Sequence, residues 1–238
     1  MKLQRFLVKN TDFRKDIISL ADRKIINQIK NTFRLKTGDK LVIVNGKNEE
    51  AYCEIKSLEK NKVTLVINEI AKNEIELLKK VTLYVAIVKK DNLEWIVQKA
   101  TEIGITKIIP IITRRTVKTG IAMERLKKIA EEAMEQSERG SVPEITSPIG
   151  FESALEDSRE NYVNLFFDRQ GEEVAQIKAG KNGSVGIFIG PEGGWEQEEI
   201  KLAKREKNLK LISLGRTNLR AETAAIIAAY LAAQNMLQ

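Results

Sequence analysis

Residues 189–200 read IGPEGGWEQEEI, and residues 213–225 read SLGRTNLRAETAA. Each segment follows a short run of apolar residues, contains glycine where the chain must turn, and leads into a stretch with helical spacing of apolar side chains. In an open α/β sheet, ligands bind outside the carboxyl ends of the strands, where loops of this kind lie. Two such loops after neighbouring strands predict one shared ligand pocket.

From about residue 81 onward, apolar runs alternate with helical stretches. The predicted strands are VTLYVAIVK, KIIPII, YVNLFF, VGIFIG and LKLISLG. The predicted helices are DNLEWIVQKATEIG, residues 122–139, EQEEIKLAKRE and ETAAIIAAYLAAQ. This alternation is typical of an α/β fold in which helices cover both faces of a parallel sheet.

The first third of the chain has a different pattern, with short strands and little helix. RFLV, DKLVIVNG, EAYCEIKSLE and KVTLVINEI are predicted strands, and residues 22–33 are a predicted helix that Asp22 caps. Asn45-Gly46 predicts a hairpin. These features indicate a small barrel-like module. With a linker over residues 71–80, they divide the chain into domains 1–72 and 73–238.

The basic charge of the chain lies in this first domain. The 238 residues carry a net charge of +7, and residues 1–72, with 16 Lys and Arg against 9 Asp and Glu, account for all of it. Such a surface attracts phosphates and speeds encounter with nucleic acid. A lysine-rich solvated surface is the alternative interpretation, and charge alone does not separate the two.

Composition excludes several classes of site. The chain has no histidine and one cysteine, which excludes an internal disulfide, most zinc sites and any catalysis that uses a histidine base; no bound metal is expected. Alternation around Cys53 favours packing in a strand over a nucleophile. No apolar stretch or secretory signal suggests a membrane partner, so a cytoplasmic protein is expected.

The glycine loop at 189–200 does not suit a pyrophosphate. Its spacing matches neither the dinucleotide nor the P-loop pattern, and four glutamates crowd the helix that follows. Carboxylates suit a ribose diol or a cationic sulfonium better than an anion. Three of them, Glu196, Glu198 and Glu199, are interpreted as complements to the helix dipole. Glu192, between proline and glycine, is a candidate for function.

GPEGGW followed by LGRTNLRAETAA resembles the paired signature of the SPOUT superfamily of methyltransferases. Within it, the chain looks most like the RsmE family, which methylates N3 of a uridine in small-subunit (16S) ribosomal RNA. FRLKTGD is similar to that family's N-terminal PUA-like domain, and KATEIGI, TRRTV and EEAMEQSERGSVPEI follow in the family's order. Thr217 and Asn218 depart from the usual Arg-Ile pair, and Lys30 is the basic residue nearest to where a histidine is common.

The resemblance implies a PUA-like β-barrel followed by a SPOUT domain whose last segments form a trefoil knot. It implies that the knot loops bind S-adenosyl-L-methionine and that the protein is a homodimer with its site near the subunit interface. The cofactor-binding residues that it implies are Phe167, Gly190, Glu192, Gly193, Gly194, Leu214, Gly215, Leu219 and Arg220.

The chemistry of the reaction requires two catalytic roles. Uridine N3 is a poor nucleophile until it loses its proton, so a residue must accept that proton or stabilise the anion that forms. Without histidine, Arg220 is the candidate for stabilising the anion, and Glu222, with Asp168, for accepting the proton or positioning the substrate. Methylation at uridine C5 usually needs a cysteine, and Cys53 lies in the other domain.

The predicted RNA contacts are basic residues in both domains: Arg5, Arg34, Lys36, Arg114, Arg115 and Arg139, with Lys89 as a further candidate. A flipped or single-stranded nucleotide is the expected target, in ribosomal RNA or the small ribosomal subunit. Two alternatives stay open. One is a tRNA base or ribose methyltransferase of the same fold, and the other is a ribosome-assembly factor that binds RNA without turnover.

Overall fold

The computed structural model describes residues 3–9, 11–77, 79–117, 120–173 and 183–234. The chain divides into two units, one formed by Met1–Glu76 with Met134–Val142, and the other by Leu77–Ala133 with Pro143–Gln238. The first unit therefore includes a segment, residues 134–142, that the sequence places in the second domain. Among the described residues, no helix is long and apolar enough to cross a membrane.

The first unit is built on a five-stranded sheet. Its strands are β1 (Gln4–Leu7), β2 (Ile17–Leu20), β3 (Lys40–Val44), β4 (Glu49–Leu58) and β5 (Val63–Lys72), in the order β1-β3-β4-β5-β2. Only β1 and β3 pair in parallel. The helix α1 (Arg23–Asn27) continues into a π-helical turn, Gln28–Thr32, and the Asp22 carboxylate caps it by accepting the N–H of Lys24 at 2.7 Å.

The two faces of this sheet have different cores. One face packs side chains of the strands against α1 and the turn that follows it, with Ile29, Leu41 and Ile55 fully buried. On the other face, Leu7, Val42 and Val44 pack with Met134 and Val142. Segment 134–142 thus covers apolar surface that would otherwise face water, which explains why it belongs to the first unit.

Hydrogen bonds between buried polar groups also hold residues 134–142 in place. The carboxylate of Glu76 accepts from the guanidinium of Arg139 at 2.9 Å and from the backbone N–H groups of Gly140 and Ser141, each at 2.9 Å. The side chain of Asn73 donates to the backbone carbonyl of Glu138 at 2.8 Å. Because these donors all find acceptors away from water, segment 134–142 is held by polar as well as apolar contacts.

The second unit contains a parallel sheet of seven strands. They are β6 (Val81–Ala86), β7 (Lys107–Ile112), β8 (Glu144–Ile145), β9 (Ile149–Gly150), β10 (Val163–Glu173), β11 (Val185–Ile189) and β12 (Leu209–Ser213). The order is β12-β10-β11-β6-β7-β8, and β9 also pairs with β7. The helices are α2 (Lys90–Ile103), α3 (Met123–Gln136), α4 (Phe151–Asp157), α5 (Gln197–Ala203) and α6 (Ala221–Ala233).

Aromatic side chains dominate one core of this unit. The ring of Tyr84 on β6 stacks on Phe188 of β11 with 4.4 Å between centroids, and Phe166 of β10 lies 4.3 Å from the Trp195 ring. Helices α4 and α5 add Phe151 and other apolar side chains to this core. Helices α2 and α6 pack on each other, and α6 also contacts β6 and β11.

The predicted α/β class and parallel sheet are confirmed, and each predicted strand and helix of this unit is present within a few residues. Strands β2, β8 and β9 and helix α4 were not predicted from the sequence. These elements are short, with two to seven residues, so their apolar patterns contain too few positions to show a period. The trefoil knot stays a prediction.

Candidate functional site

A cavity of about 520 Å³ opens at the carboxyl ends of β11 and β12 and beside the middle of β10, where the pairing register shifts after Phe167. Its volume is in the range of small-molecule sites, and its place is the edge of the sheet where the two glycine loops were predicted to meet. The residues predicted to bind the cofactor or to serve in catalysis that line it include Phe167, Gly190, Glu192, Gly194, Leu214, Gly215, Leu219, Arg220 and Glu222. The structure thus brings both loops into one pocket.

The first loop, residues 190–196, is shaped by close packing. Its backbone turns where the Gly194 N–H donates to the Pro191 carbonyl at 2.8 Å, and Gly194 has a φ of 72°, which favours glycine. Gly190 passes directly against the buried ring of Trp195, where a Cβ would lie 2.9 Å from the nearest ring atom. A larger residue at 190 would therefore displace the indole from the pocket wall.

Glu192 lies at the rim of the pocket, exposed to solvent. Its Oε1 accepts the backbone N–H of Lys89 at 3.2 Å, at the first turn of α2. A carboxylate is favourable there because the N-terminal end of a helix carries partial positive charge. The side chain therefore connects the glycine loop to α2, and it also faces the cavity.

The second loop runs from Leu214 to Arg220. Gly215 has a φ of 110°, and the Ser213 hydroxyl bridges its backbone by accepting from its N–H at 3.3 Å and donating to its carbonyl at 3.2 Å. Arg220 then begins α6 as its N-cap, with its side chain exposed, and Glu222 lies in the first turn. Both catalytic candidates therefore reach the same cavity.

The carboxylate of Glu222 has an unusual environment. Its Oε2 is buried, and the described residues give it no hydrogen-bond partner. Most buried polar atoms in folded proteins have a partner, and one that lacks it in the wall of a cavity points to a group supplied by a ligand. Glu222 therefore contributes a carboxylate to the wall of the pocket, with one oxygen that has no partner among the described residues.

The other glutamates after the first loop have structural partners. Glu199 is 2% exposed and accepts the N–H groups of Arg114 at 3.0 Å and Glu196 at 2.8 Å. Glu198 accepts from the ammonium of Lys201 at 2.8 Å, and this hydrogen bond lowers the pKa of the Glu198 carboxyl. Their position in the first turn of α5 agrees with the interpretation that they stabilise the helix.

The residues predicted to contact RNA fall into two groups, one with exposed side chains and one with buried side chains. Arg34, Lys36 and Arg114 are exposed. Arg34 has a φ of 54°, a left-handed conformation that is uncommon outside glycine, so its side chain is held on the surface by an unusual backbone turn. Arg115 is half-exposed and binds Glu196 in the glycine loop, with 2.6 Å between Nε and Oε1.

Arg139 and Arg5 do not fit the prediction of an RNA contact. Arg139 is 3% exposed and its guanidinium binds Glu76. Arg5 is mostly buried, and its guanidinium binds the carboxylate of Glu50. Neither side chain can reach a phosphate from these positions, so the prediction is corrected: both form structural ion pairs within the first unit. The local sequence around Arg5 and Arg139 does not indicate that they are buried, because the carboxylates that bind them are distant along the chain.

Other lining residues lie outside the predicted cofactor set. Lys89, a candidate RNA contact, and Asp168, a candidate proton acceptor, both face the cavity, and Asn92 and Arg169 were not predicted at all. The rule that ligands bind at carboxyl ends of strands would have found Asn92, since β6 ends at the same edge of the sheet. The charged side chains of the wall are Lys89, Arg169, Arg220, Asp168, Glu192 and Glu222, three basic and three acidic.

Comparison with known proteins agrees with this geometry. Residues 73–233 match the RNA methyltransferase domain, and residues 23–68 match the RNA methyltransferase PUA domain. Ribosomal RNA small subunit methyltransferase E of Rickettsia conorii is 36% identical over 96% of this chain and 94% of its own. The protein of the same name from Bacillus subtilis is 31% identical over 85% of this chain and 84% of its own.

A solved structure also matches along the whole chain. Ribosomal RNA small subunit methyltransferase E from Neisseria gonorrhoeae, bound to S-adenosyl methionine, superposes with a TM-score of 0.88 at 26% identity, over 99% of this chain and 98% of that one. The family resemblance inferred from the two glycine loops and the motifs that precede them is thus confirmed. The chain belongs to the RNA methyltransferase family whose members include ribosomal RNA small subunit methyltransferase E.

Proposed function

We propose that this protein transfers the methyl group of S-adenosyl-L-methionine to N3 of a uridine in small-subunit ribosomal RNA. The observation that carries the proposal is the single cavity lined by both glycine loops, with Arg220 and Glu222 in its wall. The names of the relatives from Rickettsia conorii and Bacillus subtilis favour a small-subunit rRNA substrate over tRNA. The uridine and its N3 position follow from the family resemblance.

The residues of the cavity fit S-adenosyl-L-methionine. Apolar atoms of Phe167, Leu214 and Leu219 suit an adenosine moiety, and the absence of a side chain at Gly194 allows close approach to the backbone. Acidic side chains suit a cationic sulfonium and an ammonium, whereas basic side chains suit the carboxylate of the same molecule. When bound, this cofactor supplies an activated methyl group on a sulfonium that leaves as a neutral thioether.

The protein itself supplies position and proton transfer. N3 of uridine carries a proton, and the carboxylate of Glu222, in the wall of the cavity, is assigned to accept it as N3 forms its bond to the methyl group. The electron pair of the broken carbon–sulfur bond stays on sulfur. The guanidinium of Arg220, at the mouth of the pocket, stabilises the negative charge that spreads over O2 and O4 of the base as the proton leaves.

The RNA is held outside the pocket. We assign residues 1–72 to RNA binding, as a PUA-like domain, and residues 73–238 to methyl transfer. Arg34, Lys36 and Arg114 have exposed side chains and are the proposed phosphate contacts. A target base must leave its stack to enter the cavity, which favours a nucleotide in a loop or single strand. The reaction is proposed to take place in the cytoplasm.

A second copy of the chain is proposed to cover the outer face of α6. The sequence of this helix, AETAAIIAAYLAA, is apolar on all sides, yet Ile227 and Tyr230 remain 37% and 50% exposed. A helix of this composition is normally buried all round. Ala224 of the same helix lines the cavity, so a partner on this face would lie close to the pocket.

The test is methyl transfer to defined RNA. Small ribosomal subunits and naked 16S rRNA from a strain that lacks the protein are incubated with radiolabelled S-adenosyl-L-methionine, and the nucleosides are separated and identified by mass spectrometry. We expect 3-methyluridine in the rRNA. Label in a ribose or only in tRNA would contradict the proposed substrate. RNA binding without transfer to any of these RNAs would favour an assembly factor instead.

A further inference from the structure

Arg115 makes two contacts with the glycine loop. Its Nε lies 2.6 Å from Oε1 of Glu196, and its Nη1 donates to the backbone carbonyl of Gly193. Arg115 follows β7, whereas Gly193 and Glu196 follow β11, so the guanidinium joins two segments separated by about eighty residues of sequence. A planar guanidinium that binds a carboxylate and a carbonyl together fixes their relative positions.

A buried carboxylate, that of Glu199, holds together the same two segments that Arg115 joins. Glu199 accepts the backbone N–H of Arg114 through one oxygen and that of Glu196 through the other. Because Glu199 is only 2% exposed, these bonds are shielded from water and hold the backbone on both sides of the junction. Glu199 therefore holds both the backbone next to Arg115 and the N-terminus of α5, and the Arg115 side chain connects these two places.

The packing of Arg115 explains why residue 193 is glycine, and this explanation differs from the predicted role of Gly193 in cofactor binding. Gly193 does not line the cavity, although Gly190 and Gly194 do. A Cβ at Gly193 would instead lie 3.3 Å from Cδ of Arg115, which is tighter than most such contacts. The absence of a side chain at 193 leaves room for the arginine to lie across the loop.

The shape of the pocket wall depends on anchors of this kind. The loop closes its own turn with the bond from Gly194 N–H to the Pro191 carbonyl. On one side, Glu192 ties it to the first turn of α2 through the N–H of Lys89, and on the other side, Arg115 ties it to the end of β7. Displacing Gly193 would move Gly194, which faces the cavity.

We propose that Arg115 is a positioning residue for the cofactor rather than an RNA contact: it holds the loop at 190–196 in the shape that binds S-adenosyl-L-methionine. The inference rests on the proposed function. Both partners of the ion pair are partly exposed, with side chains 44% and 37% accessible. Exposed pairs add little to stability, so the effect should appear in cofactor affinity and not in the unfolding free energy.

The experiment compares Arg115→Gln with a matched control, Arg125→Gln. Arg125 also places its Nε 2.6 Å from a glutamate oxygen, that of Glu94, and neither residue of this pair lines the pocket. Each variant loses one positive charge and one ion pair. Calorimetric titration with S-adenosyl-L-methionine, without RNA, should show affinity reduced about tenfold in Arg115→Gln and less than about twofold in Arg125→Gln.

Two further variants test the mechanism. Arg115→Lys can bind only one of the two acceptors, so it should lose about threefold in affinity. Glu196→Gln removes the other charge of the ion pair. In the double variant with Arg115→Gln, the loss of cofactor binding free energy should be smaller than the sum of the losses in the two single variants. In turnover, Arg115→Gln should raise KM for the cofactor and change kcat at saturation less than about twofold.

Other results would overturn the inference. Equal cofactor affinity in Arg115→Gln and the wild-type protein would exclude the positioning role. A raised KM for RNA with unchanged cofactor affinity would return Arg115 to the RNA contacts. If the wild-type protein itself did not bind S-adenosyl-L-methionine, the proposed function would fail, and the inference would fail with it. Thermal unfolding of each variant identifies any loss that comes from misfolding.

Discussion

The indole Nε1 of Trp195 donates a hydrogen bond to the backbone carbonyl of Phe167 at 3.0 Å, and both residues are buried. Phe167 ends the regular part of β10, and Trp195 lies near the end of the glycine loop after β11. This bond therefore connects two walls of the cavity, because Phe167 and Trp195 both line it. Gly190 packs against the same indole, so the Trp195 side chain helps to position two other pocket residues, Phe167 and Gly190.

Trp195→Phe should lower both stability and cofactor affinity. Phenylalanine keeps an aromatic ring but removes the indole N–H that donates to the buried Phe167 carbonyl, which costs about 1–3 kcal/mol. Urea unfolding measures the loss, and calorimetry measures the affinity. Trp95→Phe is the matched control, because Trp95 is 48% exposed and should change the unfolding free energy by less than about 0.5 kcal/mol. Equal losses in the two variants would contradict the role given to the hydrogen bond.

Gly194→Ala should weaken cofactor binding beyond its cost in stability. Gly194 has a φ of 72°, so alanine there costs about 1–2 kcal/mol, and its methyl group would lie at the wall of the cavity. Gly38→Ala is a matched control in the first unit, because Gly38 has a φ of 90° and a Cβ added to it would meet no atom within 4 Å. Both variants should have a lower free energy of unfolding than the wild-type protein, and only Gly194→Ala should lose affinity for S-adenosyl-L-methionine.

The period of apolar residues was sufficient to predict the parallel sheet and most of its helices. Strands such as β11, with every residue of Val185–Ile189 buried, leave an uninterrupted apolar run that a sequence displays directly. The glycine loops were predictable for a related reason, since turns after such strands lie at one edge of the sheet. The pocket could therefore be predicted without coordinates, and Phe167, Gly190 and Gly215 all line it.

Contacts between distant segments could not be predicted in this way. The segment with Met134 and Val142 has a helical pattern that indicates an amphipathic helix, but a period does not say which sheet its apolar face covers. Arg5 and Arg139 looked like surface charges for the same reason, because Glu50 and Glu76 are 45 and 63 residues away. Burial of a charge depends on tertiary partners, which a single sequence does not pair.

Arg139→Gln should destabilise the protein without a specific effect on RNA binding. Removing one partner of a buried ion pair leaves the other charge in a poor environment, which costs about 3–5 kcal/mol. The figure is an upper bound here, because Glu76 keeps the N–H groups of Gly140 and Ser141. Chemical unfolding measures the loss in stability. Arg34→Gln is the complementary variant: its side chain is exposed, so it should keep stability and weaken RNA binding with a smaller salt dependence.

The single cysteine should be unreactive in the folded protein. Cys53 is 1% exposed in the core of the first unit, which confirms the expectation of a packing role, and burial raises the pKa of its thiol to about 12. The thiolate is the reactive form, so at about pH 8 almost none is present. A disulfide reagent should modify the thiol only after denaturant is added. Rapid modification of the native protein would mean that the first unit opens readily, and the rate would then measure that opening.

Glu222→Gln should separate proton transfer from cofactor binding. The amide keeps the size of the side chain but cannot accept the N3 proton, so we expect kcat to fall by about 10²–10⁴ while cofactor affinity changes less than about threefold. Single-turnover transfer to rRNA at saturating cofactor measures the first quantity, and calorimetry measures the second. The remaining activity should rise with pH, because hydroxide then removes the proton that Glu222 no longer accepts. Glu198→Gln, an exposed glutamate of α5 bound to Lys201, is the control and should retain full activity. A Glu222→Gln enzyme with normal kcat would rule out this carboxylate as the proton acceptor and leave Asp168, in the same cavity, as the next residue to replace.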